Sequence, residues 1–162
     1  MSLSLKYIPA SWEHLGNLKD ARQMFIFCNS LVDIPNSWQG LNNVSSTNSM
    51  FVSAQSLTGI PQSWAGLDNL EDAGSMFNSC SSLAQINLSD LLTKAPKLKN
   101  IACMFLGTKI DDKNMVSAFI DACRANSYLR EVSAHSACFY NTPVANYFPI
   151  ADYPDWFKEE PV

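Results

Sequence analysis

The sequence predicts an α/β solenoid of about five units, each a very short parallel strand followed by a short helix. Three observations predict it. The phrase Ile8-Pro9-Ala10-Ser11-Trp12 returns as Ile34-Pro35-Asn36-Ser37-Trp38 and as Ile60-Pro61-Gln62-Ser63-Trp64. Between these copies sit Met24-Phe25, Met50-Phe51 and Met76-Phe77, each pair 26 residues from the next. A period of that size marks stacked architectures, in which each unit buries its apolar face against its neighbours.

The elements of one unit follow in chain order. Leu5, Leu31, Leu57 and Leu83 open each copy, and Ile8, Ile34, Ile60 and Ile86 come three residues later. A segment this short is no helix. The proline after the first three isoleucines favours an extended residue before it and a turn after it. A bend at the Leu and a short strand around the Ile follow, paired side by side as a narrow parallel sheet. Trp12, Trp38 and Trp64 come next. They stack in the core, worth about 0.5–1.5 kcal/mol per contact beyond area, or form an exposed aromatic stripe. The core placement is the expected one.

Asn17, Asn43 and Asn69 then read as helix N-caps, with Asp20, Ser46 and Asp72 three residues on in a shortened capping box. Leu18, Ala21, Met24, Phe25 and Cys28 recur at steps of three and four, the signature of one helical face. The expected repeat core is Leu31, Ile34, Trp38, Phe51, Leu57, Ile60, Trp64 and Phe77.

The rule then loosens. The fourth copy loses the Ile-Pro-x-Ser-Trp phrase, and Met104-Phe105 arrives 28 residues after Met76-Phe77. Residues 114–125 carry Met115, Ala118, Phe119, Ala122 and Cys123 at helical spacing. Val132, His135, Cys138 and Phe139 then repeat the spacing of Leu98, Ile101, Met104 and Phe105, a degenerate fifth unit. Residues 1–146 are therefore expected to form the repeat body. Residues 147–162, with Phe148, Tyr153, Trp156 and Phe157, form either a cap over the last edge or a partner-binding tail.

Composition bounds the function. The chain has 162 residues, 47% of them hydrophobic, and disorder is not expected. The net charge of −4 lacks the basic footprint of nucleic-acid binding. No apolar run is long enough to cross a membrane, and no signal peptide is visible. Five cysteines without a Cys-x-x-Cys pair suggest neither a disulfide framework nor zinc. No phosphate-binding glycine loop or Gly-x-Ser-x-Gly elbow occurs, so no cofactor and no metal is expected.

The string Ser75-Met76-Phe77-Asn78-Ser79-Cys80-Ser81-Ser82-Leu83, with Met24-Phe25-Ile26-Phe27-Cys28-Asn29-Ser30-Leu31, resembles a known repeat. It is similar to bacterial leucine-rich surface proteins of the BspA-like type, closest to their 26-residue "mycoplasma surface protein" branch. The resemblance covers roughly residues 5–110 and, weakly, 128–145. It implies a curved leucine-rich-repeat fold, a non-catalytic binding or adhesion role, and a bacterial surface or secreted location.

The expected binding face consists of non-core residues beside the strand: Tyr7, Asp33, Thr58 and Gln85. The expected partner is another protein or a cell-surface ligand, with no nucleic acid and no membrane insertion. One alternative is a structural component that forms homo-oligomers through a stack end. Another is an enzyme with a Cys/His site at His135 and Cys138. The acids at Asp111-Asp112 and from Asp152 to Glu160 read as solvated turns.

Overall fold

The computed structural model describes residues 4–158. Along the repeats the decisive local feature is a run of consecutive turns, at 21–28, 47–54, 73–80, 101–108 and 135–142. In the first run the Met24 N–H donates to the Ala21 carbonyl, Ile26 to Gln23, and Cys28 to Phe25. Gln23 and Phe27, with φ of 57° and 60°, sit in the left-handed region. That is the signature of type II turns. Ser49 and Ser53, Ser75 and Ser79, Cys103 and Gly107, and Ala137 and Asn141 repeat the pair.

The intervening amides point elsewhere. Ala21, Gln23, Phe25 and Phe27 donate to the Ser46, Asn48, Met50 and Val52 carbonyls of the next layer. Thr47, Ser49, Phe51 and Ser53 do the same to Asp72, Gly74, Met76 and Asn78, and the pattern continues to Ala134, Ser136, Cys138 and Tyr140. Each run is therefore stitched to itself and to the following run by alternate N–H groups, which satisfies a buried backbone without helix or sheet.

This corrects the predicted fold class. Among the described residues there is no β-strand and no sheet, only isolated parallel bridges. The predicted helices at Leu18–Cys28 and at the next three copies are absent, and only the first turn of the fifth copy is helical. The α-helices are α1 (Leu91–Lys94), α2 (Lys113–Ala125), α3 (Val132–His135) and α4 (Pro154–Phe157). The chain is not an α/β solenoid, and the leucine-rich-repeat description falls with it. Two physical reasons account for the error. Two left-handed residues in each run break i→i−4 bonding, yet consecutive turns reproduce the three-and-four apolar spacing of a helix. Pro35 and Pro61 lie two residues beyond the bridged Asp33 and Gly59 and have no N–H to extend the ladder.

The polar positions are corrected in the same way. Asn43 and Asn69 cap no helix; their amides donate to the Gly16 and Asn42 carbonyls of the preceding layer. Asp20, Ser46, Asp72 and Asn100 each accept the N–H two residues on, from Arg22, Asn48, Gly74 and Ala102. These Asx and Ser turns launch each run. At Gly74 the neighbouring side-chain amides come close: a Cβ would stand 2.8 Å from that of Asn48 and 2.9 Å from that of Asn100, so those side chains would have to shift.

Side chains stack in columns through these layers. Phe25, Phe51, Phe77, Phe105 and Phe139 lie ring on ring at 5.5–5.9 Å. Trp38 and Trp64 stack at 5.6 Å, and Trp12 tilts against Trp38. Leu31, Ile34, Leu57 and Ile60 are buried with them. The Trp64 N–H donates to the Asn87 carbonyl, where the fourth copy no longer supplies a tryptophan.

The lengthened steps are absorbed by helices. α1 sits in the longer connection to the fourth run. α2 fills the step from Phe105 to Phe139, with Val116, Phe119, Ile120 and Cys123 turned inward. Asp112 caps α2 by accepting the Met115 N–H. Phe148, Tyr153, Trp156 and Phe157 pack together against the last run. There the Ala137 and Phe139 N–H groups donate to the Asp155 and Trp156 carbonyls. Residues 159–162 of the expected tail, including Glu160, lie outside the described residues.

Candidate functional site: an open end of the stack

The two ends of the stack differ. At the C-terminal end, Trp156 and Phe157 are buried over Phe139, and Trp156 stacks on the His135 ring at 4.1 Å. At the N-terminal end no described layer covers the first run. Met24 is 41% exposed, whereas its counterparts Met50, Met76 and Met104 are fully buried. Phe27 is 47% exposed, and Leu5 and Tyr7 are exposed beside it. Leu5, Tyr7, Met24, Phe25 and Cys28 line an open depression of about 630 Å³.

Sequence reasoning missed Met24 and Phe27 as surface residues. Met24 follows the core pattern, and it is exposed because no described layer covers it. Phe27 did carry a signal. Its counterparts are Ser53, Ser79, Gly107 and Asn141, all small or polar residues. A bulky residue at φ 60° is an unusual choice, and such strain gathers at ligand-binding positions.

The predicted binding-face residues are not all brought together. Tyr7 bridges Asp33, and Asp33 bridges Gly59. Thr58 stands one residue out of that register and donates both its N–H and its hydroxyl to the Val32 carbonyl. The Asp33 carboxylate lies over Gly59, where any Cβ would collide with it. Gln85 takes part in none of these bridges. It lies with Lys109, Asp111 and Lys113 around a separate open depression of about 450 Å³.

His135 and Cys138 are both buried. The His135 ring places Nδ1 2.7 Å from the Leu129 carbonyl and lies flat on Trp156. Burial pushes the Cys138 thiol well above its ordinary range, and nearby Cys123 and Cys103 push it further. A nucleophilic thiol needs the opposite shift. Burial also raises Cys80 and Cys123 to about 12. Only about one such thiol in 10,000 is ionised at pH 8. In the native protein at that pH, Cys80, Cys123 and Cys138 are expected to resist a charged thiol reagent until urea unfolds the chain. Mass mapping of the labelled cysteines checks this, and native labelling of Cys138 would contradict the packing.

Near the open end, Arg22 bonds the Asp20 carboxylate at 2.8 and 3.0 Å. Those side-chain bonds hold Asp20 below the usual carboxylate range. Among the described residues, no three His, Cys, Asp or Glu side chains come together as a metal site. No described helix is long and apolar enough to cross a membrane. No protein-family model matches this chain, and no curated protein matches it.

Proposed function

We propose that this protein is a non-catalytic protein-interaction module that binds its partner through the open N-terminal end of the stack. The observation that carries the reading is the contrast between the ends: one is sealed by Trp156 and Phe157, the other presents Met24 and Phe27. Clustered exposed apolar side chains mark interaction sites on soluble proteins. The layered hydrogen bonds hold this end in a fixed shape, so binding orders little of the module itself. The resemblance of the Met-Phe and Ser-Leu phrases to BspA-like repeats adds support, since it implies binding.

The test is crosslinked capture from native lysate with three proteins. They are the wild type, an end variant (Met24→Lys with Phe27→Asn) and a column variant (Asp33→Ala, Thr58→Ala and Gln85→Ala). The expected result is one partner recovered by the wild type and the column variant and lost by the end variant. Loss in the column variant alone would return the site to the sequence-predicted face. Capture of no partner by any of the three would end the protein-binding reading.

A further inference from the structure

The apolar side chains mark where a partner docks; the backbone specifies how. In each inner interface, the carbonyls of one run accept N–H groups from the run before it. Ser46, Asn48, Met50 and Val52 accept from the first run, and Asp72, Gly74, Met76 and Asn78 from the second. The first run has the same four carbonyls, at Asp20, Arg22, Met24 and Ile26. No described residue donates to any of them. The N–H groups of this run are all committed. Arg22 donates to the Asp20 carboxylate, Met24 to Ala21, Ile26 to Gln23 and Cys28 to Phe25. The odd-numbered ones cross to the second run. The open face is thus a row of acceptors with no matching donors among the described residues, beside the exposed Met24 and Phe27.

We propose that this face docks a segment of another protein, which joins the stack backbone to backbone as an added layer and donates N–H groups from alternate residues. The inference rests on the protein-binding reading and names the chemistry of its partner. Main-chain pairing with an exposed edge is a general mode of peptide recognition, with side-chain pockets supplying the specificity. Here the edge is a turn run, and the pocket is the depression lined by Leu5, Tyr7, Met24 and Phe25.

The acceptor-only character excludes two other occupants. A second copy turned face to face sets carbonyl against carbonyl. A second copy stacked head to tail needs free donors at its far end, but Ala137 and Phe139 already donate to Asp155 and Trp156.

The probe is a synthetic peptide with the sequence of residues 31–56, one layer of this chain, titrated into the intact isotope-labelled protein. One-to-one saturable binding is expected, with chemical-shift changes at residues 5–8 and 20–28. Peptide N-methylated at the amides matching Ser49, Phe51 and Ser53 is expected to bind at least about tenfold more weakly, since each methyl group removes one N–H donor. Met24→Lys with Phe27→Asn is expected to weaken binding similarly; both sites are exposed, and Asn tolerates the left-handed backbone. No binding of the unmodified peptide, equal binding of the N-methylated one, or shifts elsewhere would overturn the inference. So would self-association of the protein alone that the double variant abolishes, because a second copy would then be the occupant. Failure of the peptide with a partner still captured by the end face sinks only the added-layer chemistry; failure of capture sinks the reading beneath it.

Discussion

Phe77→Ala is expected to lower the unfolding free energy by about 3–5 kcal/mol, the usual range for deleting a fully buried aromatic ring. Phe77 sits in mid-column, stacked on Phe51 at 5.6 Å and Phe105 at 5.9 Å, with Trp64 edge-on at 6.4 Å. Its neighbours are themselves held in layers by cross-run hydrogen bonds, so the cavity cannot readily collapse. Phe25→Ala is the paired control. Phe25 stacks on one phenylalanine and stands at the open end. Its loss is expected to cost clearly less, because no described layer covers one side of the ring. Urea unfolding of both variants decides the point. Equal costs would mean that the two rings occupy equivalent environments, and the polarity of the stack would be wrong.

Trp156→Ala with Phe157→Ala is expected to cost at least about 3–5 kcal/mol and to change the association state. The two rings cover Phe139, and Trp156 also covers His135. The segment that carries them supplies the carbonyls of Asp155 and Trp156 to the last run. Loosening it frees the Ala137 and Phe139 N–H groups, which match the acceptors at the other end of a second molecule. Head-to-tail association that grows with concentration is then expected in sedimentation velocity. Adding Met24→Lys and Phe27→Asn should suppress it. A monodisperse uncapped variant would contradict the claim that the two ends are complementary.

Some of this was legible in the residues. The 26-residue register survives in the structure as the bridges Asp20–Ser46–Asp72 and the spacing of the Phe and Trp columns. The later steps survive as well, with Asp72 bridging Asn100 and Phe105 stacked on Phe139. The conformation of each run was not legible. Apolar residues at Leu18, Ala21, Met24, Phe25 and Cys28 fit a helix and a string of turns equally, since both bring every third or fourth residue inward. Glycine at the left-handed positions would have separated the two, but only Gly107 provides it; serine holds four of the ten. The asparagines misled for a related reason. An Asn side chain that caps a helix and one that bonds across layers look alike in sequence.

The open end was hidden differently. Exposure of Met24 depends on what precedes its layer in space, and nothing in Met24-Phe25 distinguishes it from Met50-Phe51. Tyr7, Asp33, Thr58 and Gln85 share a place beside Ile8, Ile34, Ile60 and Ile86 in the sequence, yet Thr58 falls one residue off the Tyr7–Asp33–Gly59 register and Gln85 lies at another depression.

The central claim is that the repeats are turn runs whose alternate amides bond to the next layer. Scalar couplings across hydrogen bonds, measured by NMR between amide nitrogen and carbonyl carbon, test it most directly. Correlations are expected from Phe25 N to Met50 C′, from Phe51 N to Met76 C′, and from Phe77 N to Met104 C′. A correlation from Phe77 N to Ala73 C′ would instead place that residue in an α-helix and contradict the account.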